Sequence, residues 1–311
     1  MRTAIFGTGG VGGYFGGLLA KAGHEVNFIA RGSHLAAMQE RGLQIHSVNG
    51  DFHISPAMAT DNPNEIGPVD YVVVAVKHYQ LADAAKQILP LIGPKTTVVP
   101  LLNGVDAHEI LLETISPEHM VGGLCSLVSY IEEPGAIRQQ SKLNRVIVGE
   151  LDRTKSDRVE KLVSVWKEQG ADAIHTDDIF AALWTKFVFI ASFGGISSLI
   201  RANMGTLLEI EETRQLFIDA MKEVESLARA QDIDLPLDVV DKMLAMAECF
   251  EPTATSSMQR DVAAGNLFEL EAFNGKIFHT ARKLGVQTPI HRSIYCLLLP
   301  ALNQAIEANK R

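Results

Sequence analysis

Cysteine, tryptophan and basic side chains are scarce in this sequence. Three isolated cysteines without zinc-type spacing predict no metal site and no disulfide framework, and favour a reducing, cytoplasmic environment. Lys and Arg number 28 against 37 Asp and Glu, a net charge of −9, so a nucleic-acid partner is not expected. The longest uncharged run, residues 187–200, is shorter than the ~20 residues that span a membrane. We therefore expect a soluble protein without a membrane partner.

The 311 residues divide into two patterns. Short β-branched runs alternate with amphipathic stretches over residues 1–177, which predicts a Rossmann-type, mostly parallel sheet with helices. Residues 43–59 are expected to form a hairpin, and residues 121–148 to finish the sheet with antiparallel strands. From residue 178 to 311, apolar residues recur at helical spacing. The predicted fold class is therefore α/β plus all-α, with an N-terminal cofactor-binding domain and a C-terminal helical domain.

A glycine-rich turn follows the first predicted strand. It consists of Gly7, Thr8, Gly9, Gly10, Val11 and Gly12 and matches the pattern GxGxxG. Between a strand and a helix, this pattern is typical of a dinucleotide site, where backbone N–H groups approach a pyrophosphate at the positive end of the helix. A glycine turn without a ligand is the alternative.

Three polar residues follow the ends of later predicted strands. Arg31 stands where an NAD site carries Asp or Glu, and its guanidinium suits a 2′-phosphate, which favours NADP(H). Lys77 and Asn103 follow two buried strands, and ligands of open α/β sheets bind beyond such strand ends. All three are predicted to bind the cofactor. The alternatives are a solvated arginine, a lysine at a strand exit and a simple Asn-Gly turn.

Two ionisable residues stand out in the helical half. Lys186 lies in an otherwise apolar run, where an ammonium group is costly unless it serves a site or reaches solvent at a domain edge. Desolvation lowers the pKa of a lysine and suits it to donate a proton near neutral pH. Glu269, three residues after Asn266, is either part of a helix capping box or a carboxylate directed into an interdomain cleft. The two roles of Glu269 are compatible.

Together these residues resemble the ketopantoate reductase (2-dehydropantoate 2-reductase) family, within the larger 6-phosphogluconate-dehydrogenase-like group. The resemblance covers nearly the full length. It is carried by the glycine turn, Arg31, Lys77, Asn103, the LWTK segment at residues 183–186, the SMQRD segment at residues 257–261, and Glu269.

The resemblance implies NADPH-dependent reduction of a 2-oxo acid, ketopantoate, to a 2-hydroxy acid in pantothenate and coenzyme A synthesis. It implies that Lys186 protonates the ketone oxygen and that Asn103 lies near the nicotinamide ribose and the substrate. Lys77 would lie near the cofactor. Glu269 would bind a substrate hydroxyl, and Ser257 would contact the substrate carboxylate.

The chain also departs from the family. Ile190 and Gly194 stand where the family usually has asparagines, and a third asparagine of the family is replaced near Met204. Unpaired polar substrate groups are costly to bury, so the substrate pocket is expected to be rebuilt. Our hypothesis is that Arg201 clamps the substrate carboxylate in place of the missing amides. An arginine on the rim of the site is the alternative.

Three functions remain open from the sequence. The first is ketopantoate reduction, the second is reduction of another 2-oxo acid by a paralogue, and the third is a non-catalytic NADP-binding sensor. The apolar stripes of the helical half are compatible with a homodimer.

Overall fold

The computed structural model describes residues 1–309, which form two compact units. The first unit is Met1–Ala182, and the second begins at Leu183. The strands are β1 (Arg2–Phe6), β2 (Glu25–Ile29), β3 (Leu43–Ser47), β4 (Phe52–Ile54), β5 (Met58–Thr60), β6 (Val69–Val74), β7 (Ile92–Pro100), β8 (Gly122–Glu133), β9 (Ala136–Gly149) and β10 (Asp172–His175).

Helices occur in both units. In chain order they are α1 (Gly10–Lys21), α2 (Gly32–Arg41), α3 (Leu81–Gln87), α4 (Ala107–Leu112), α5 (Asp157–Glu168), α6 (Ile179–Ile200), α7 (Met204–Glu209), α8 (Glu211–Arg229), α9 (Val239–Glu248), α10 (Ser257–Ala263), α11 (Lys276–Leu284) and α12 (Pro289–Asn309).

The first sheet has the strand order β5-β2-β1-β6-β7, and all its pairs are parallel. Alternate side chains of its strands enter two different cores, as period-two geometry requires. Ile5 and Val73 pack with α1, whereas Phe6 and Val74 pack with residues of α3 and α4. A parallel sheet covered on both faces confirms the predicted Rossmann-type unit.

A second sheet corrects one prediction. The strands β8 and β9 do not finish the first sheet: they pair antiparallel with each other, and β9 belongs to a separate sheet with the order β10-β9-β3-β4. The strands β3 and β4 form the expected hairpin, but β5 leaves it and pairs parallel with β2. The reason is that alternation in a sequence identifies strands without identifying their partners.

The second unit is helical, as predicted. Its long helix α6 carries buried aromatic side chains, and Phe189 stacks on Phe250 with ring centroids 5.5 Å apart. Among the described residues, α6 is the one helix that is long and apolar enough to cross a membrane, judged by length and composition. In its apolar 18-residue stretch, 67% is buried inside the structure. Burial of this kind is typical of a core helix.

Candidate active site

The glycine-rich turn lies where β1 ends and α1 begins. Gly9 is the N-cap residue of α1, so the first N–H groups of the helix, which have no acceptor within the helix itself, lie next to it. The turn is held to the end of β2, because the Thr8 main-chain N–H and hydroxyl both donate to the Ile29 carbonyl, at 3.1 and 3.0 Å. This fixed loop at a helix N-terminus has the local geometry of an anion site.

The glycines of the turn differ in what a side chain would meet. A Cβ on Gly7, whose φ is +100°, would lie 2.7 Å from the Ala75 carbonyl oxygen, and one on Gly12 would lie 2.2 Å from the Gly7 carbonyl oxygen. A Cβ on Gly9 would meet nothing within 4 Å. Packing within the protein therefore explains Gly7 and Gly12, whereas the open space at Gly9 fits a ligand that approaches the backbone closely.

Gly10 has a different reason, which sequence reasoning missed. A Cβ on Gly10 would lie 2.4 Å from the main-chain carbon and oxygen of Ser129 on β8. The glycine thus allows the hairpin of β8 and β9 to lie against the start of α1. The spacing GxGxxG gives no sign of this contact, because Ser129 is more than one hundred residues away in the chain.

Arg31 lies at the carboxyl end of β2, where it is the N-cap residue of α2. Its side chain is exposed, and its Nη2 donates to Gln87 Oε1 on α3 at 2.8 Å. A guanidinium beside a helix N-terminus at this strand end can bind a phosphate group. Gln87 was not foreseen as a partner of Arg31.

Lys77 and Asn103 follow the neighbouring strands β6 and β7, and both are half-buried. Lys77 is the N-cap residue of a short 3₁₀ turn at His78–Gln80, and its main-chain N–H donates to Gln80 Oε1 at 3.2 Å. Gly104 follows Asn103 with a φ of +102°. The structure thus brings the glycine turn, Arg31, Lys77 and Asn103 to one edge of one sheet.

The second unit contains the other predicted residues. Lys186 is half-buried on α6, and helical spacing places Ile190 and Gly194 on the same face of this helix. A Cβ on Gly194 would lie 3.4 Å from the Phe273 ring and 3.8 Å from the Met258 Cβ. At Ile190 and Gly194 this face therefore carries no polar side chain, and Gly194 is flanked by two nearly fully buried apolar side chains.

Glu269 does not belong to a capping box, which corrects that interpretation. It lies outside any helix or strand, just before a π-helical turn, Glu271–Gly275, whose N-cap residue is Leu270 without a side-chain cap. Its main-chain carbonyl accepts from the Phe273 N–H at 3.2 Å, while its side chain is nearly fully buried. The Asn266–Glu269 spacing fits a capping box only if a helix begins there, and none does.

Ser257 and Arg201 lie at helix ends. Ser257 is the first residue of α10, directly after the N-cap Ser256, whose hydroxyl accepts from the Gln259 N–H at 3.0 Å and lies 2.9 Å from the Ser197 hydroxyl. Arg201 follows α6, is exposed and has a left-handed φ of 54°. A role of Arg201 toward a carboxylate stays a prediction.

The fold and the strand-end residues define a class: proteins with a Rossmann-type unit followed by a helical unit. Residues 3–153 match the family model described as "Ketopantoate reductase PanE/ApbA", and residues 178–301 match "Ketopantoate reductase PanE/ApbA C terminal". The chain belongs to the ketopantoate reductase family of oxidoreductases, which confirms the resemblance.

Relatives of known name are similar over the whole length. An uncharacterized oxidoreductase, YkpB, of Bacillus subtilis is 28% identical, with full coverage of both chains, and the 2-dehydropantoate 2-reductase of Mesorhizobium japonicum is 28% identical, covering 96% of this chain and 97% of its own. The solved 2-dehydropantoate 2-reductase of Geobacter metallireducens has a TM-score of 0.90 at 30% identity, with 98% and 100% coverage. A D-mandelate dehydrogenase solved with NADH has a TM-score of 0.86 at 25% identity, with 97% and 99% coverage.

Proposed function

We propose that the protein reduces a 2-oxo acid to a 2-hydroxy acid with NADPH, and that ketopantoate is its substrate in pantothenate synthesis. The observation that carries the proposal is the open backbone at Gly9, at the same sheet edge as Arg31, Lys77 and Asn103. Family membership supports the reaction class, and the relatives named as 2-dehydropantoate 2-reductases support the substrate. A cytoplasmic location follows from this biosynthetic role.

The residues at the sheet edge fit a dinucleotide. The N–H groups around Gly9 would hold the pyrophosphate, and Arg31 with the start of α2 would hold the 2′-phosphate. A carboxylate, which would repel this phosphate and bind a free 2′-hydroxyl instead, is absent from the described residues that end β2. This favours NADPH over the NADH found with the D-mandelate dehydrogenase.

Lys186 is the proposed general acid. When bound, the reduced nicotinamide supplies a hydride to the ketone carbon of the substrate. The ammonium of Lys186 gives its proton to the ketone oxygen, so the negative charge that develops there is neutralised by a cation already in place. The neutral amine then regains a proton from solvent. Glu269 and Ser257 would orient the substrate through its hydroxyl and carboxylate groups.

Replacement of the lysine tests this role. We expect Lys186→Ala to lower kcat for ketopantoate by about 10²–10⁴-fold, because the proton donor is lost. NADPH affinity in a fluorescence titration should stay near that of the wild type. Lys222, which pairs with Asp219 on the exposed face of α8, offers the matched control Lys222→Ala. A Lys186→Ala protein with wild-type kcat would show that another group donates the proton. A wild-type protein that binds NADPH but reduces no 2-oxo acid would instead support the sensor alternative.

One observation favours a second candidate, a reductase of 2-oxo acids with apolar side chains. One and two helical turns beyond Lys186, α6 carries Ile190 and Gly194, and Gly194 lies against Phe273 and Met258. None of these four side chains can pair with a substrate hydroxyl. Under this alternative, benzoylformate or 2-oxo-4-methylpentanoate would be reduced with a higher kcat/KM than ketopantoate.

The two candidates are separated by NADPH oxidation with these three acids. If the apolar residues Ile190 and Gly194 select the substrate, Ile190→Asn should raise kcat/KM for ketopantoate and lower it for the apolar acids by about 10-fold or more. Leu216, exposed on α8, supplies the control Leu216→Asn. A wild-type preference for ketopantoate that Ile190→Asn leaves unchanged would exclude the second candidate.

A further inference from the structure

His78 and Asp106 form a hydrogen-bonded pair at the candidate cofactor edge of the first sheet. The Nε2 of His78 donates to Asp106 Oδ1 at 2.8 Å, and the two side chains are only 14% and 12% exposed. His78 directly follows Lys77, and Asp106 is three residues after Asn103. The pair therefore joins the two loops that carry these candidate cofactor-binding residues.

The Asp106 carboxylate pairs with His78 although its position in the chain is one at which aspartate commonly caps a helix. Asp106 is the N-cap residue of α4, a position at which aspartate usually accepts from the first N–H groups of the helix. It makes no such side-chain cap, and its Oδ1 accepts from His78 instead. Asp106 thus makes a hydrogen bond to the neighbouring loop and does not cap its own helix α4 through its side chain.

The two loops need a connection of this kind. The strands β6 and β7 are paired up to their ends, and the Leu101 N–H donates to the Val74 carbonyl at 2.8 Å. Beyond that point the two strands separate: β6 leads into the loop that carries Lys77, and β7 leads into the loop that carries Asn103. The separation of these two side chains depends on contacts between the loops, of which the His78–Asp106 hydrogen bond is one.

We propose that His78 and Asp106 are a positioning pair that fixes the spacing of Lys77 and Asn103, and thereby the placement of the nicotinamide end of the dinucleotide. The inference rests on the proposed function. It assigns no contact with the cofactor to the pair itself. The adenosine end, which the glycine turn and Arg31 would hold, lies beyond the neighbouring strands β1 and β2 and should not depend on the pair.

Three measurements on the whole two-unit chain test the pair: kcat, the affinity for NADPH and the affinity for 2′,5′-ADP. For His78→Asn, whose shorter amide cannot reach the Asp106 carboxylate, we expect kcat to fall by about 10–100-fold, because small displacements of reacting groups cost that much. NADPH affinity should fall several-fold, and the affinity for 2′,5′-ADP should be unchanged. In His78→Gln the amide nitrogen can take the place of Nε2, so this variant should recover most of the loss.

Controls separate positioning from general damage. His46 and Asp51 form a more exposed pair, 3.3 Å apart, on the second sheet, and His46→Gln and His46→Asn should leave all three measurements unchanged. If His78→Asn melts early, Asp106→Asn gives the second variant, which retains an oxygen that accepts from His78 and should fall between wild type and His78→Asn.

The outcomes are distinct. Equal loss of NADPH and 2′,5′-ADP affinity, or no change in kcat and NADPH affinity, would overturn the positioning role. A wild-type protein that binds NADPH but reduces no 2-oxo acid would instead overturn the proposed reaction, and the comparison of NADPH with 2′,5′-ADP would still decide the role of the pair.

Discussion

At the residue scale, the cofactor preference depends on Arg31. Its guanidinium is exposed at the strand end and is oriented by Gln87. This orientation requires two segments that lie 56 residues apart, so the sequence indicates the charge of the site but not the partner that directs it. Arg31 and Lys77 lie two and three residues after the ends of β2 and β6. The apolar run at residues 71–76 makes the strand before Lys77 recognisable from the sequence, whereas β2 also contains Glu25 and Asn27. The cofactor roles of Arg31 and Lys77 stay predictions.

We expect Arg31→Ala to weaken binding of 2′,5′-ADP by about 10–100-fold, the loss of charged hydrogen bonds to a phosphate. Binding of NADH should be unchanged, because NADH carries no 2′-phosphate. Arg41 lies in the last turn of the same helix α2 and donates to the Pro134 carbonyl at 3.1 Å, so Arg41→Ala is the control. Displacement titrations measure all four affinities. Equal weakening of NADH and 2′,5′-ADP would contradict the assignment of Arg31 to the 2′-phosphate.

At the element scale, α1 combines packing glycines with one open glycine. The sequence pattern assigns Gly9 to a close approach of the pyrophosphate and Gly12 to close packing of the helix on the sheet. The structure agrees with the second assignment, because a Cβ on Gly12 would meet the Gly7 carbonyl and the Ile5 side chain, and it leaves open space beside Gly9. The pattern does not identify these neighbours, because they depend on the fold.

The two glycines therefore predict opposite behaviour of alanine variants. Gly12→Ala should lower the free energy of unfolding by about 1–3 kcal/mol, because its Cβ would overlap the Gly7 carbonyl. Gly9→Ala should keep wild-type stability, since its φ of −87° suits alanine, and should lose at least about 10-fold in NADPH affinity. Urea unfolding and fluorescence titration check the pair. Wild-type NADPH affinity in Gly9→Ala would remove the main support for the cofactor site.

At the scale of the whole molecule, the sequence predicted the two-part architecture but not the second sheet. Alternation and glycine turns are local signals, and they located β1, β2, β6 and the hairpin β8–β9. The parallel pairing of β3 with β9 joins segments about ninety residues apart, and no local signal specifies it. The capping box at Glu269 failed because no helix begins at Asn266: the next helical turn starts only at Glu271, and the Asn266–Glu269 spacing does not specify where a helix starts.

The second unit contains a buried histidine whose charge state couples stability to pH. His291 on α12 is fully buried; its Nε2 donates to the Ala220 carbonyl at 3.0 Å, and its Nδ1 accepts from the Asn274 side chain at 2.8 Å. The second of these bonds requires the neutral ring, because a protonated Nδ1 would donate and could not accept from the Asn274 amide. Burial lowers the pKa of His291 from 6.5 to about 4. Between pH 4 and 6.5, the ring of His291 is therefore protonated in the unfolded chain and neutral in the folded unit.

This linkage predicts that stability falls as the pH drops from 6.5 toward 4 and levels off below. Between pH 7.5 and 5 the loss amounts to about 2 kcal/mol. Glu223, which accepts from the Ile290 and His291 N–H groups, acts in the opposite sense, because burial raises the pKa of its carboxyl. The wild type must therefore be compared with His291→Gln, in which Glu223 is retained and the titrating ring is absent.

The two tryptophans allow the effect to be located. Trp166 is buried in the first unit and Trp184 in the second, so Trp166→Phe and Trp184→Phe each leave a fluorescence reporter of one unit. The free energy of unfolding is measured from the Trp184 transition in urea at pH 7.5 and at pH 5. Between these pH values it should fall by about 2 kcal/mol more in the protein that retains His291 than in His291→Gln. If the units unfold separately, the Trp166 transition should not distinguish the two proteins; if they unfold together, both reporters should shift equally. An identical pH dependence with and without His291 would mean that the folded unit accepts the proton, and that water or a rearranged amide reaches the ring.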